Sequence, residues 1–274
     1  MKIERWARQC EFPACAHPRR LWRVWREPPH GYTLDGHWYC SLSCFEKALG
    51  AVLAESLPVI VHPCAKTHRV PLGLLMLSRG LVDDEQLKKA LKAQKDSGTG
   101  RVGEWLRHMG AVSEDQVTQI LGLQWAIPVF PLEQNRRFLD YAHLVPFPLL
   151  ENAEMVPVHH TPINQQLYVA FVDRVNYSAL YAVDKMLSCH TEPCLAAQSH
   201  LQRALEELRR TPRGTEVLVV SGISERWDMV TAILDQLESL GATEVRVSGF
   251  DGFVWARLQH GSGYSDMLFR PHGG

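Results

Sequence analysis

Four cysteines near the start of the chain are spaced to hold a metal ion: Cys10-x4-Cys15, a long insert, then Cys40-x3-Cys44. Zinc takes four soft ligands in a tetrahedron, commonly supplied as two close pairs separated by a loop or hairpin. Four protein ligands leave no open position for a water, so a Zn2+ held here is structural. His17 is an alternative to Cys15 as a ligand, and four thiols without metal are the competing reading. Other candidates for chemistry are weaker. His159 and His160 are neighbours on an expected strand and point to opposite faces, so they do not share one ion. Cys189 and Cys194 read as core or incidental thiols, and Cys64 has no His and acid context.

The elements that must position the cysteines are a hairpin and a helix. The insert LWRVWREPPHGYTLDGHWYC alternates aromatic and polar residues around a Pro-Pro-His-Gly turn. After Cys40, SLSCFEKALGAVLAE reads as a helix, with Ser41 or Ser43 as its cap. A ligand pair at the start of a helix, preceded by a hairpin, resembles the treble-clef zinc fingers. So short a segment needs such a staple to stand alone.

From residue 71 the pattern turns to helical periodicity, and it does so twice. PLGLLMLSRGLVDDEQLKKALKAQ (71–94) and RVGEWLRHMGAVSEDQVTQILGLQ (101–124) align without gaps. They share Gly at the third and tenth positions, Gln at the last, and aliphatic residues at the second, twelfth, seventeenth and twenty-first. In each unit a short helix begins at Leu72 or Val102 and ends at a glycine, Gly80 or Gly110, able to take the left-handed cap. A second helix then opens on a capping box, Asp83-x-x-Gln86 or Ser113-x-x-Gln116. Leu87, Ala90 and Leu91, and equally Val117, Ile120 and Leu121, form a stripe at helical spacing. Two such pairs should pack as a small four-helix unit.

This duplicated pattern resembles the N-terminal domain of the bacterial secretion and pilus ATPases (the MshE-type domain), whose motif is Arg-Leu-Gly, Leu, Gly, two spaced leucines and a closing Gln. The second unit matches at Arg101, Val102, Gly103, Leu106, Gly110, Val117, Leu121 and Gln124. The first matches at Leu72, Gly73, Gly80, Leu87, Leu91 and Gln94, with Pro71 where the arginine stands and Arg69 two residues earlier. The resemblance implies a cyclic di-GMP site. Helix starts at Leu72-Gly73 and Val102-Gly103 would offer amides to an anion, with glycine allowing close approach. Arg101 would fork onto phosphate or guanine or stack on a base, with Arg69 as a candidate for the same space in the first unit. The aliphatic side chains would cover guanine faces, and Gln94 and Gln124 would pair with base edges. A helical scaffold that no longer binds nucleotide would keep the same glycines, leucines and glutamines, and it is the alternative.

The resemblance continues to about residue 211. Proline-rich entry segments lead to a strand MVPVHH, a turn at Pro162-Ile163-Asn164 and a second strand QLYVAFV. Asp173-Arg174-Val175-Asn176 stands at the family's Asp-Pro-x-Asn turn, and helices flank a strand near Glu192–Leu195. Beyond the linker at 209–214 the composition shifts. TEVLVVSG, an amphipathic helix ending at Gly241, then EVRVSGF, FVWARLQ and SDMLFRP read as a small α/β domain with a strand-helix-strand start. The expected fold class is α+β multidomain: a zinc-binding finger (1–58), a helical tandem-motif lobe (66–130), an α/β second lobe (131–211) and a C-terminal small α/β domain (215–274).

Composition narrows the function. The chain has 274 residues, 46% hydrophobic and 22% charged, with a net charge of -1, so no global field recruits nucleic acid or an acidic membrane. The first fifty residues hold eight Lys/Arg against five Asp/Glu. This basic excess supports a zinc-finger nucleic-acid regulator only weakly, and the near-neutral whole argues against one. No apolar run reaches the ~18 residues of a membrane span, MKIERWARQC is no signal peptide, and seven cysteines argue against a disulfide framework, so the expected location is cytoplasmic. The sequence contains no G-x-x-x-x-G-K-S/T loop, G-x-S-x-G or H-E-x-x-H. The expectation is a non-enzymatic cyclic di-GMP receptor or adaptor that signals through secretion or pilus proteins, without inserting in the membrane. The alternative is a ligand-free interaction scaffold of such a machine.

Overall fold

The structure, a computed structural model, describes residues 9–15, 31–56, 69–211, 217–221, 225–250, 252–261 and 263–270. Two compact units emerge, one of residues 1–61, 181–188 and 213–274, the other of residues 62–180 and 189–212. Helices and two sheets give a mixed α/β architecture. No helix among the described residues is long and apolar enough to cross a membrane.

The first unit is built on a six-stranded sheet. Its elements are β1 (Tyr32–Leu34), β2 (His37–Tyr39), α1 (Leu42–Ser56), β6 (Val217–Ser221), α10 (Arg226–Leu240), β7 (Glu244–Phe250), β8 (Phe253–His260) and β9 (Gly263–Arg270), in the order β2-β1-β7-β8-β9-β6. The β1–β2 hairpin turns at Asp35-Gly36, where φ is 51° and 88°. A two-residue turn with both φ positive matches strand twist. The expected turn at Pro-Pro-His-Gly is a separate one, and its Pro28, Pro29 and His30 lie outside the described residues.

A hairpin of three-residue strands cannot stand alone. Here β1 pairs in parallel with β7, Thr33 opposite Glu244 and Leu34 opposite Val245, and the Asp35 carboxylate accepts the Val247 N–H at 2.9 Å. Phe45, Leu49 and Leu53 of α1 and Met229, Ile233 and Leu237 of α10 share one buried cluster with Val245, Val247, Val254 and Leu258. The expected finger and C-terminal domain therefore meet in one sheet and one core instead of forming separate modules. Sharing a core gives the short finger the apolar burial it lacks by itself. The expected strands 244–250, 253–259 and 265–271 overlap β7, β8 and β9, which form an antiparallel meander. β6 pairs in parallel with β9 and not with β7, so the strand-helix-strand start crosses two strands rather than joining neighbours.

In the second unit the repeats form α2 (Leu72–Ser78), α3 (Asp84–Ser97), α4 (Val102–His108) and α5 (Glu114–Trp125). Met76, Val82, Leu87, Ala90, Leu106, Val112 and Ile120 make their common core. Both capping boxes are formed: Gln86 N–H donates to Asp83 at 2.7 Å and Gln116 N–H to Ser113 at 3.2 Å. Both first helices close alike. Gly80 (φ 67°) and Gly110 (φ 69°) take the left-handed turn, and Leu81 and Ala111 N–H return to the Met76 and Leu106 carbonyls at 3.0 Å.

The α/β lobe follows, with α6 (Phe138–Tyr141), α7 (Phe147–Asn152), β3 (Val156–Thr161), β4 (Gln166–Phe171), the start of α8 (Tyr177–Leu187, whose residues from Tyr181 on count with the first unit), β5 (His190–Leu195) and α9 (Gln198–Arg210). Its sheet order is β3-β4-β5, antiparallel then parallel. Asn176 Oδ1 accepts the Ala179 N–H at 3.0 Å and starts α8 from the turn after β4.

Candidate functional site

Two sites emerge, one in each unit. In the first unit the loop 9–15 carries Cys10 and Cys15, the end of β2 carries Cys40, and the first turn of α1 carries Cys44, whose N–H donates to Ser41 Oγ at 3.3 Å. The four Sγ atoms all lie within 4.8 Å of one another, and Cys15 and Cys40 are 3.5 Å apart. A tetrahedral ion with metal–sulfur bonds of ~2.3 Å needs sulfurs ~3.8 Å apart, so the arrangement fits a four-coordinate centre. Burial, with hydrogen bonds and charge from Cys15 and Cys10, pushes the Cys40 thiol to about 12. Four crowded thiolates repel one another, and a cation at their centre is what stabilises them together. Among the described residues no other group of three or more His, Cys, Asp or Glu side chains converges in this way. Cys194 is a core thiol, pushed to about 12 by burial alone. Cys64 and His17 lie outside the described residues.

In the second unit an open cleft lies between the second motif and the α/β lobe. Arg101, Gly103, Val117 and Leu121 line it with Leu72 of the first motif. The α/β lobe contributes Val172, Asp173 and Gln198, residues the sequence reading did not assign to a site. Arg101 Nη1 meets Asp173 Oδ2 at 2.5 Å, across 72 positions of sequence. Glu104, Arg107 and Glu114 add further charge to the walls. Each comes from a helix whose sequence shows only a solvated polar position, and only the lobe's approach makes them part of a site. The Arg101 amide is engaged, donating to Glu104 Oε2 at 3.1 Å.

The other expected residues have tasks inside the helical lobe. Gln94 Nε2 donates to the Gly100 carbonyl at 2.9 Å, and Gln124 Nε2 to the Val70 carbonyl at 2.7 Å. The repeat makes these the same bond: each closing glutamine ties the backbone just before a short first helix. A Cβ on Gly73 would stand 2.6 Å from Leu87, and one on Gly103 would stand 3.1 Å from both Leu72 and Val117. These glycines let the helices of a pair touch. Leu106 and Leu87 are core, Val102 packs against that core, and Leu91 is 48% exposed. Arg69 does not line the cleft; its guanidinium lies 3.6 Å from the centre of the Trp125 ring.

Glu114 joins the lobes. It accepts the Ser199 N–H at 3.0 Å and the Ser199 O–H at 2.6 Å, and pairs with Arg107 at 3.2 Å. Burial raises this carboxyl, but the Ser199 bonds and the Arg107 charge outweigh it and hold the group below its ordinary 4.5. A depressed carboxylate stabilises above its unfolded value and loses that contribution as pH falls through the folded one. Glu114→Ala should therefore cost ~1.5–3 kcal/mol at neutral pH, as for a hydrogen bond to a charged group. Urea unfolding at pH 7 and at pH 3 checks it: the deficit should shrink at pH 3.

No protein-family model matches the chain. The type IV pilus assembly ATPase PilB of Myxococcus xanthus is 30% identical over 135 residues, which is 49% of this chain and 23% of that protein. PilB of Thermus thermophilus is 26% identical over 134 residues, 49% of this chain and 15% of that protein. The chain thus spans under a quarter of the length of these relatives. Among solved structures, MshE with cdg is 27% identical over 51% of this chain and 99% of that one, with a TM-score of 0.43. The N-terminal domain of XpsE is 16% identical over 51% and 97%, with a TM-score of 0.35.

Proposed function

We propose that this chain, about half of which is related to the N-terminal domains of the secretion and pilus ATPase family, is a cyclic di-GMP-responsive adaptor acting through protein partners of a secretion or pilus machine. The observation that carries the reading is the cleft between the second motif and the α/β lobe. It brings a forked cation, Arg101, beside a close-approach glycine, Gly103, and the aliphatic Val117, Leu121 and Leu72. That combination suits a ligand with charged phosphates and flat apolar-faced bases. Because Arg101 is held by Asp173 of the other lobe, a phosphate taking the guanidinium would loosen one tie between the lobes. Binding shifts such an equilibrium only by its difference in affinity between the two arrangements. The role is signal transfer, not catalysis.

Zinc is the metal proposed for Cys10, Cys15, Cys40 and Cys44, in a structural role fixed by four protein ligands. It would hold loop 9–15 to the hairpin and α1.

A second reading, a docking scaffold without nucleotide, draws on the closing glutamines and motif glycines, whose bonds and close packing account for them with no ligand. Isothermal titration of the purified protein with cyclic di-GMP separates the two. The adaptor reading expects saturable heat and a raised melting temperature, and neither at high micromolar ligand would leave the scaffold.

A further inference from the structure

The two edges of the six-stranded sheet are treated in opposite ways. At the β2 edge, Glu11 N–H donates to the Trp38 carbonyl at 3.0 Å, and the Glu11 carboxylate accepts the Trp38 N–H at 3.2 Å. His37 Nδ1 meets the same carboxylate at 2.5 Å. The loop that carries Cys10 thus covers that edge with a backbone bond and a charge, two of the ways proteins stop edge strands from pairing.

Among the described residues, none of these devices stands at the β6 edge. Val217-Leu218-Val219-Val220-Ser221 pairs with β9 on one side, and no other described strand lies beyond it. In a parallel pair, alternate residues direct their N–H and C=O away from the partner, so β6 presents a row of ladder groups outward. The segment holds no charge and no proline, in a chain that is 22% charged. Leu218 is 46% exposed and Val219 is 48% exposed, and as neighbours on a strand they face opposite sides of the sheet.

We propose that β6 is a homodimerisation edge, pairing antiparallel with the β6 of a second copy of this chain to join two six-stranded sheets into one. Charge and symmetry choose this occupant. A two-fold pairing centred on Val219 sets Val219 against its own copy and Leu218 against Val220 of the partner chain. The pairs at 218–220 are then aliphatic, Val217 falls opposite an uncharged serine, and no like charges meet. A partner strand carrying charges would leave them opposite Val and Leu with no counter-charge in β6. The edge is short, so the dimer is weak and concentration-dependent.

The experiment is sedimentation velocity on the full chain from ~1 μM to ~1 mM, with Val219→Lys and Val219→Glu. The wild type should shift from monomer to dimer across this range. Each variant alone should stay monomeric, because the two-fold places its new charge against an identical one. An equimolar mixture of the two variants should recover the dimer, since lysine then faces glutamate. Circular dichroism and melting of each variant check that a half-exposed position has not cost the fold, and the recovery in the mixture excludes misfolding independently. A wild type that stays monomeric at ~1 mM overturns the proposal. So does a dimer that persists in either variant, or a mixture that stays monomeric.

Discussion

Cys40→Ser should abolish binding of the proposed zinc and free the loop 9–15 from the sheet it guards. Apparent stabilisation by structural zinc in small finger peptides is ~10–16 kcal/mol, because their fold exists only when the ion is bound. The effect here is divided differently. Phe45, Leu49 and Leu53 are fully buried in a core shared with α10 and five strands, so α1 and the sheet have support that a free-standing finger lacks. Loop 9–15 has little else: the Glu11 bonds to Trp38, the His37 contact and a half-buried Phe12. Losing one of four thiolates should thus reduce zinc from about one per chain to near none, and expose the loop to proteolysis before the helices melt. Cys194→Ser is the control, since that thiol is buried in the other unit and is no member of the four-cysteine group, so its loss should leave metal binding unchanged. A Cys40→Ser protein that keeps a full equivalent of zinc would remove the metal assignment.

The tandem helices could be read from sequence because their determinants are local. The capping boxes at Asp83 and Ser113 and the left-handed turns at Gly80 and Gly110 act within a few residues, and a repeat displays each determinant twice. The strands β7, β8 and β9 were legible as elements for a similar reason, and their pairing into a meander comes from the structure, as successive strands with short connections tend to pair. The union of β1 with β7 was not. It joins Thr33 to Glu244, and three-residue strands carry too little pattern to name a partner.

The candidate site divides along the same line. Arg101, Gly103, Val117 and Leu121 follow from the motif, whereas Asp173 and Gln198 reach the cleft only through the packing of the second lobe. The closing glutamines show a subtler gap. Their recurrence marks them as required, but sequence cannot say whether a ligand or the Gly100 and Val70 carbonyls require them, and the structure supplies the second cause.

Arg101→Ala should weaken cyclic di-GMP binding by about ten- to a hundredfold, the ~1.5–3 kcal/mol of one charge-assisted hydrogen bond. The loss has two parts. The guanidinium is gone, and Asp173, now without its counter-charge, is left in the same cleft to repel a phosphate. The converse change tests whether the repeat is a working pair. Pro71 stands at the first-unit position equivalent to Arg101, exposed at the start of α2 in extended backbone, with φ -56° and ψ 139°. Arginine adopts that backbone without strain, and removing an exposed proline costs only ~0.4–1 kcal/mol through the unfolded state. Pro71→Arg should therefore leave the fold intact and tighten binding, up to about tenfold from one solvent-screened charge. The two substitutions should also act independently, because additivity holds for sites that share no partner, and Arg101 pairs with Asp173 while Pro71 makes no side-chain bond. Titrations of both single variants and the double variant read this directly. If neither change alters the affinity, the ligand, if it binds at all, is held somewhere other than the paired motif.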